Sequence, residues 1–360
     1  MTRGHTASPP VDAPGTLAGR YRRFVRLRVL CLLLLTLGTG LTFLLDLTAG
    51  PAGLGLGDVI AGLWQPDALD PGTRVIIWDL RVPYALMAVI VGASLGLAGA
   101  EMQTVLNNPL ASPFTLGVGA AATLGASLVI VFNLSLLGLG ANLLLPLAAF
   151  VFAAAASLLI LVLSRTLGAS VHTVVLFGIA LLFGINALVG LIQFVADAES
   201  VQQIVFWTMG SLARASLEKV AVVAVVFALC LPFSLRGAWA MTLLRSGEDQ
   251  ARSLGVPVER MRLVVLMRVS LLTAAALAFV GEIGFVGLVA PHIARLLLGE
   301  DHRFLLPGSA LAGALLLSLA SIASKTLVPG VILPAGIVTA LVGIPLFIGL
   351  ILGRSRERAL

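Results

Sequence analysis

Four ionisable side chains lie in or beside long apolar stretches of the sequence, where a charge is costly and usually has a function. They are Asp46, Glu101, Glu282 and Arg295. Each is close to the end of its stretch, so an alternative is that the charged group reaches the membrane surface while its stem packs against apolar groups. A carrier driven by an ion gradient needs acids deep in the membrane, and the spacing places none securely there. The pattern counts against such a carrier, which stays an alternative.

Motifs for ATP hydrolysis, metal binding and nucleophilic catalysis are absent from the sequence. A phosphate-binding loop of the form GxxxxGK[ST] needs a lysine after a glycine, but the two lysines, Lys219 and Lys325, follow other residues. No HExxH, CxxC or GxSxG occurs, and the four histidines are scattered. We expect no catalytic residue, no metal site and no cofactor in this chain. If ATP and Mg²⁺ drive its function, a separate ATPase subunit must bind them.

The composition predicts a protein that spans a lipid bilayer. Of the 360 residues, 59% are hydrophobic and 11% are charged, whereas soluble domains carry roughly a quarter charged residues. The net charge is +6, but the basic residues cluster at the two ends and in one internal stretch. This distribution argues against nucleic-acid binding. Cys31 and Cys230 each lie in an apolar run and predict no disulfide framework.

Charge-free intervals predict the transmembrane helices, because one such helix needs about 20 mostly apolar residues. Prolines and glycine-rich stretches mark the breaks between intervals, for example Pro109 and Pro113. The ten predicted spans are 29–47, 83–106, 114–134, 143–164, 173–196, 216–236, 261–280, 285–298, 304–324 and 333–353. The eighth is short and is the span most prone to be bent. The predicted fold class is an all-α integral membrane protein with about ten transmembrane helices.

The distribution of basic residues predicts the topology. An N-terminus in the cytoplasm places most of the 23 basic residues on the cytoplasmic side, and an even number of spans returns the C-terminus to the same side. Residues 1–28 then form a cytoplasmic N-terminal tail, 29–353 the transmembrane domain and 354–360 a cytoplasmic C-terminal tail. The longest cytoplasmic loop is 237–260.

Glycines at helical spacing predict close helix packing. Gly92, Gly96 and Gly99 occur within one predicted span. Small residues let helix backbones approach closely in lipid, so we interpret this pattern as packing rather than as a functional site.

Five stretches, taken together and in this order, carry a family resemblance. They begin with LRVPYALMAVIVGASLGLAGAEMQTVLNNPL and continue with FWTMGSLARAS, SGEDQARSLGV, GEIGFVGLVAPHIARLLLGEDHRFLLPGSALAGALLL and LPAGIVTALVGIPLFI. They resemble the FecCD-type permeases, the membrane subunits of type II ABC importers for iron-siderophore complexes, haem and cobalamin. The resemblance runs from about Arg81 to Arg354.

The resemblance implies a fold, partners and a cargo. It implies a ten-helix permease in the bacterial cytoplasmic membrane, paired with a second permease subunit that is identical or paralogous. It further implies ABC ATPase subunits on the cytoplasmic side, a solute-binding protein outside, and a ferric siderophore as substrate. Cobalamin or haem is the alternative cargo. An ion-gradient-driven carrier and a passive channel are the alternatives of other classes.

The resemblance assigns the stretch 246–260 to coupling with the ATPase. The matching residues are Gly247, Glu248, Ala251, Leu254 and Gly255. Small residues would permit close approach of a partner and Leu254 would supply an apolar anchor. From the pattern alone, the stretch is also consistent with a solvated loop.

Two further groups of residues are assigned by the resemblance. Arg81 and Lys325 match basic residues that pair with acids of the binding protein, and anchoring at the membrane interface is the alternative. Tyr84 stands where the family often has a second arginine, and Arg74 could compensate. The candidates for a cytoplasmic gate, with loop capping as the alternative, are Asn108, Leu110, Ser170 and His172.

Overall fold

The computed structural model describes residues 17–50, 53–134, 141–166 and 171–357. Within these ranges the chain forms helices and no strand. A π-helical segment, Ile76–Arg81, connects the helices Pro71–Val75 and Val82–Val105. The helices are α1 Leu17–Thr48, α2 Leu56–Trp64, α3 Pro71–Val75, α4 Val82–Val105, α5 Val118–Val131, α6 Ala141–Thr166, α7 Val171–Val195, α8 Ala198–Thr208, α9 Leu217–Arg236, α10 Ala238–Leu244, α11 Glu248–Ser253, α12 Val258–Val280, α13 Val286–Leu298, α14 His302–Thr326 and α15 Ala335–Glu357.

The predicted all-α membrane fold is confirmed. In the described ranges seven helical segments are long and apolar enough to cross a bilayer: α1, the continuous α3–α4 segment, α6, α7, α9, α12 and α14. The shorter apolar helices α5, α13 and α15 overlap the remaining three predicted spans. Helix α1 begins at Leu17, so the arginine-rich stretch before residue 29 continues the helix. Residues 1–16 and 358–360 of the two predicted tails lie outside the described ranges.

Helix α4 forms the centre of the packed helices. In the most apolar 18-residue stretch of the α3–α4 segment, 83% of the residues are buried inside the protein, compared with 22% in the corresponding stretch of α1. A methyl group on Gly92 would clash with the backbone of Gly313 in α14, and one on Gly99 would clash with the backbone of Gly287 in α13. Since lipid gives no hydrophobic drive between helices, this close approach supplies the packing contacts. The prediction that these glycines serve packing is confirmed.

Helices α5 and α13 cross only part of the bilayer. They contain 14 and 13 residues, which at 1.5 Å per residue gives about 20 Å each, less than the roughly 30 Å hydrocarbon thickness. Nonhelical links, 107–117 and 281–285, precede them. The links pack against each other, since the Phe114 ring lies 3.8 Å from the position that a Cβ on Gly284 would take. Each short helix therefore begins or ends inside the hydrocarbon region.

Two acids expected at the membrane surface are instead buried inside the protein. Asp46 and Glu101 are both 0% exposed, so the interfacial alternative is wrong for them. Glu101 in α4 accepts hydrogen bonds from Arg268 in α12. Asp46 in α1 accepts one from Lys325 in α14, with 3.0 Å between Nζ and Oδ1. Each buried charge thus has an opposite charge within hydrogen-bonding distance, as a low-dielectric interior requires.

Replacing Glu101 with alanine should leave Arg268 charged and unpaired in the interior. Loss of one partner of a buried pair costs about 3–5 kcal/mol, so we expect a large fall in the melting temperature of the detergent-solubilised protein. The double variant Glu101→Leu, Arg268→Met buries no charge at these positions and should recover most of the loss. A double variant as unstable as the single one would contradict this account.

Candidate coupling surface, docking cluster and gate

The predicted coupling segment forms the short helix α11 between two glycine turns. Gly247 precedes it with φ +121° and Gly255 follows it with φ +84°, conformations that strain any residue with a side chain. A Cβ at either position would meet nothing within 4 Å. Within this chain the glycines are therefore needed for the turns, and the open space beside them leaves room for the partner that the sequence predicts.

Ala251 and Leu254 have different environments on this segment. Ala251 is fully buried and packs in the core of its own chain. Leu254 is 53% exposed. An exposed leucine on a polar segment is available as the apolar anchor of a partner, whereas Ala251 holds α11 against the helices beneath it.

Arginines tie α11 to the ends of two membrane helices. Glu248 accepts a hydrogen bond from Arg252 at 3.0 Å and another from Arg262 in α12. Arg262 also donates through Nε to the carbonyl of Val105, the last residue of α4, at 3.2 Å. A displacement of α11 would therefore act on α12 and α4 together.

A second network lies where α10 leads into the coupling segment. Arg245 donates to Asn107 at 3.1 Å and to Glu300 at 3.0 Å, and Glu300 also accepts from Arg295 in α13 at 3.2 Å. Burial disfavours the charged carboxylate of Glu300, but the guanidinium groups of Arg295 and Arg245 outweigh it and hold the pKa of Glu300 below its ordinary value. The ion pairs therefore persist at neutral pH. Sequence reasoning missed Arg245 and Glu300, although both are charged residues in predicted cytoplasmic loops.

His302 joins three helices at the same end of the molecule. It is fully buried, and its Nε2 lies 2.7 Å from Oγ1 of Thr104 in α4. Its Nδ1 lies 3.2 Å from Oγ1 of Thr242 in α10, which also accepts from the His302 backbone at 3.0 Å. The histidine thus fixes the start of α14 relative to α4 and α10. Sequence reasoning assigned it no role.

The gate candidates are only partly described. The Asn108 side chain accepts a hydrogen bond from the Leu110 backbone at 2.9 Å, as a loop cap does. Leu110 is 50% exposed. Ser170 lies outside the described residues, and His172 belongs to α7 with a side chain that is also outside the description. The gate remains a prediction.

The two predicted docking residues lie together around the end of α1. Arg81 donates to the carbonyl of Leu47 at 2.6 Å and to that of Thr48 at 3.1 Å, which satisfies acceptors that a helix end leaves open. Lys325 binds Asp46 and lies 4.1 Å from the ring centroid of Tyr84. Arg81 is 6% exposed and Lys325 9%. Sequence reasoning missed the link between Asp46 and Lys325, for which two charges at the ends of predicted spans were the only signal.

Comparison with known proteins identifies the family. The model of the FecCD transport family matches residues 35–353. The chain belongs to this family. The hemin transport permease HmuU of Yersinia pestis is 37% identical over 329 residues, which cover 90% of this chain and 97% of HmuU. The molybdate import permease MolB of Haemophilus influenzae is 36% identical over 318 residues, 86% of this chain and 93% of MolB.

A solved structure supports the same assignment. It is described as an inward-facing conformation of a metal-chelate-type ABC transporter, and it matches with a TM-score of 0.78 at 32% identity, covering 89% of this chain and 98% of the other. The FecCD protein described here is thus a multi-pass membrane permease of an ABC importer, and it is a membrane component rather than an ATPase. Family membership implies ATPase subunits and a second permease subunit. The resemblance drawn from the sequence is confirmed.

Replacing Gly255 with alanine should strain the turn that ends α11 of this FecCD permease. A left-handed conformation costs a residue with a side chain about 1–2 kcal/mol, so we expect faster amide hydrogen exchange in residues 246–257. Gly57→Ala is the matched control, because Gly57 also has open space but no positive φ. Equal exchange in both variants would contradict a conformational role for Gly255.

Proposed function

We propose that this chain is the permease subunit of an ABC importer for ferric siderophores in the bacterial cytoplasmic membrane, with both termini in the cytoplasm. Separate subunits bind and hydrolyse ATP, and a solute-binding protein delivers the chelate from outside. The observation that carries the cargo class is the likeness, over 89% of the chain, to a metal-chelate-type transporter. Because the chelate already holds the metal, the pathway needs no fixed metal ligands of its own.

Haem is the second candidate cargo. The relative named for hemin transport is 37% identical over 90% of this chain, an identity close to the 36% of the relative named for molybdate import. Overall identity therefore does not separate the cargo classes, and a direct measurement must do so.

The cargo is tested by binding and uptake. We expect the solute-binding protein that docks on this permease to bind a ferric hydroxamate more tightly than hemin or molybdate in calorimetric titrations. The complex reconstituted in proteoliposomes should accumulate the iron-55 chelate only with ATP inside. Tight binding and ATP-driven uptake of hemin alone would replace the siderophore with haem.

The ATPase is proposed to seat on α11 and the exposed Leu254, with the glycine turns shaping that surface. Leu254→Glu should place a charge on the apolar anchor and abolish copurification of the ATPase subunit, because burying an unpaired carboxylate in an interface is costly. Leu56→Glu is the matched control, since Leu56 is 46% exposed on the predicted external side. Retention of the ATPase by the Leu254 variant would contradict the assignment.

Docking of the binding protein is proposed to use the small exposed parts of Lys325 (9%) and Arg81 (6%) at the end of α1. The planar guanidinium of Arg81 suits a carboxylate. The double variant Lys325→Met, Asp46→Asn removes the docking cation and leaves no buried charge alone at this pair. We expect several-fold weaker binding at low ionic strength and a smaller dependence on salt, measured by surface plasmon resonance on nanodiscs. The control is Glu101→Leu, Arg268→Met, which removes the other buried pair. Unchanged affinity would make Lys325 an anchor of α1 only.

The cytoplasmic exit is proposed to be narrowed by Asn108 and Leu110 together with Ser170 and His172. The hydrogen bond from the Leu110 backbone to Asn108 supports this proposal because it fixes the conformation of the loop between α4 and α5. The contact of Arg245 with Asn107 supports it as well, since it links that loop to the coupling segment. Movement of α11 would then reach the exit directly.

A further inference from the structure

A glutamate with no role in the proposals above lies where the two short helices begin. Glu282 is in the link between α12 and α13. Its carboxylate lies against Gly119 in the first turn of α5, where a methyl group would clash with Oε1. The carboxylate therefore lies at the beginning of α5, beside the links that precede the two short helices.

Backbone contacts fix the position of Glu282. Gly210, which follows α8, and Gly336, at the start of α15, both pack against its carbonyl oxygen without space for a side chain. The Gly336 backbone donates to the carbonyl of Gly210 at 3.2 Å, and the Ser211 backbone donates to that of Val280 at 2.7 Å. Three separate parts of the chain therefore meet at this link.

The carboxylate of Glu282 differs from the other two membrane-embedded acids. Asp46 and Glu101 each have a cation, whereas none of the described residues hydrogen-bonds to or forms an ion pair with the Glu282 side chain. Arg214, which lies beside Gly281, donates to the carbonyl of Val280 at 3.3 Å. Glu282 also remains partly exposed. A carboxylate facing hydrocarbon is costly, so we expect the exposed part of this side chain to contact water rather than lipid.

We propose that Glu282 lines the translocation pathway and contacts positively charged groups of the passing cargo. The inference rests on the proposed import function. A negative charge in a confined aqueous space attracts cations and repels anions. Glu282 would thus favour chelates that bear a protonated amine over anionic ones.

A reporter cysteine tests, without any cargo, whether the charge of Glu282 acts on ions that enter the pathway. In a background with Cys31→Ser and Cys230→Ala, Gly284→Cys places a thiol in the same link, where its Cβ meets only the Phe114 ring at 3.8 Å or more. A cationic trimethylammonium thiosulfonate and an anionic sulfonate thiosulfonate are reacted with the ATPase-bound complex. The ratio of the cationic to the anionic rate should fall about fivefold when Glu282→Gln is added, given the size of charge interactions in a partly aqueous site.

Gly57→Cys supplies the control reporter, because it lies in an external helix and its rate ratio should not respond to Glu282→Gln. Labelling of Gly284→Cys by neither reagent, or a rate ratio unaffected by Glu282→Gln, would overturn the proposal.

Measurements of cargo uptake distinguish a failure of this inference from a failure of the proposed function. The probes are ferrioxamine B, which bears a protonated amine, and its uncharged N-acetyl form. In Glu282→Gln the uptake ratio of amine to acetyl probe should fall, whereas the variant Glu199→Gln, on the exposed surface of α8, should keep it. If the wild-type complex imports neither probe, the proposed cargo fails while the thiol rates still decide the role of Glu282. Import of both probes with unaltered ratios in Glu282→Gln would refute the role of Glu282 in cargo contact alone.

Discussion

Helix α4 lies against α14 and α13 at backbone contact distance, because Gly92, Gly96 and Gly99 leave no side chain between the helices. In lipid this contact cannot be replaced by hydrophobic burial, since the tails are as apolar as leucine. Both ends of α4 bear proposed functional groups: Arg81 precedes it, and Asn107 follows it in the link to α5. The spacing between the proposed docking site and the proposed exit is thereby set by one helix, and any larger residue on its glycine face would disturb both proposed sites together.

Two buried ion pairs connect further helices to α4 and α14. Arg268 connects α12 to α4, and Lys325 connects α1 to α14. Around α11 the contacts are less buried and more numerous: Arg262 joins α11 and α12 to α4, and Arg245 joins the end of α10 to Glu300, which also binds Arg295 in α13. The proposed coupling surface is thus held by exchangeable ion pairs, whereas the interior is held by pairs that cannot be separated without great cost.

Fold class and family could be predicted from the sequence because hydropathy, charge asymmetry and local motifs are properties of short segments. The pairing of Asp46 with Lys325 could not, since 279 positions separate them and only helix packing brings them together. The turns at Gly247 and Gly255 were missed for another reason: a glycine fits both close approach and positive φ, and sequence alone does not distinguish the two. The eighth span was recognised as short, but that α5 is short too became clear only from the nonhelical link before it.

The distance in sequence between Asp46 and Lys325 has a consequence for biogenesis. Helix α1 leaves the ribosome before α14, so Asp46 is made before its partner Lys325 exists. At synthesis rates of about 5–20 residues per second, the 279 intervening positions take roughly 15–60 s. During that interval Asp46 lacks its ion pair with Lys325, and the nearby cation already made is Arg81, which caps the end of α1. The ion pair of the acid in α1 therefore forms only after α14 has been made, and truncated chains that lack α14 would be natural substrates for membrane quality control.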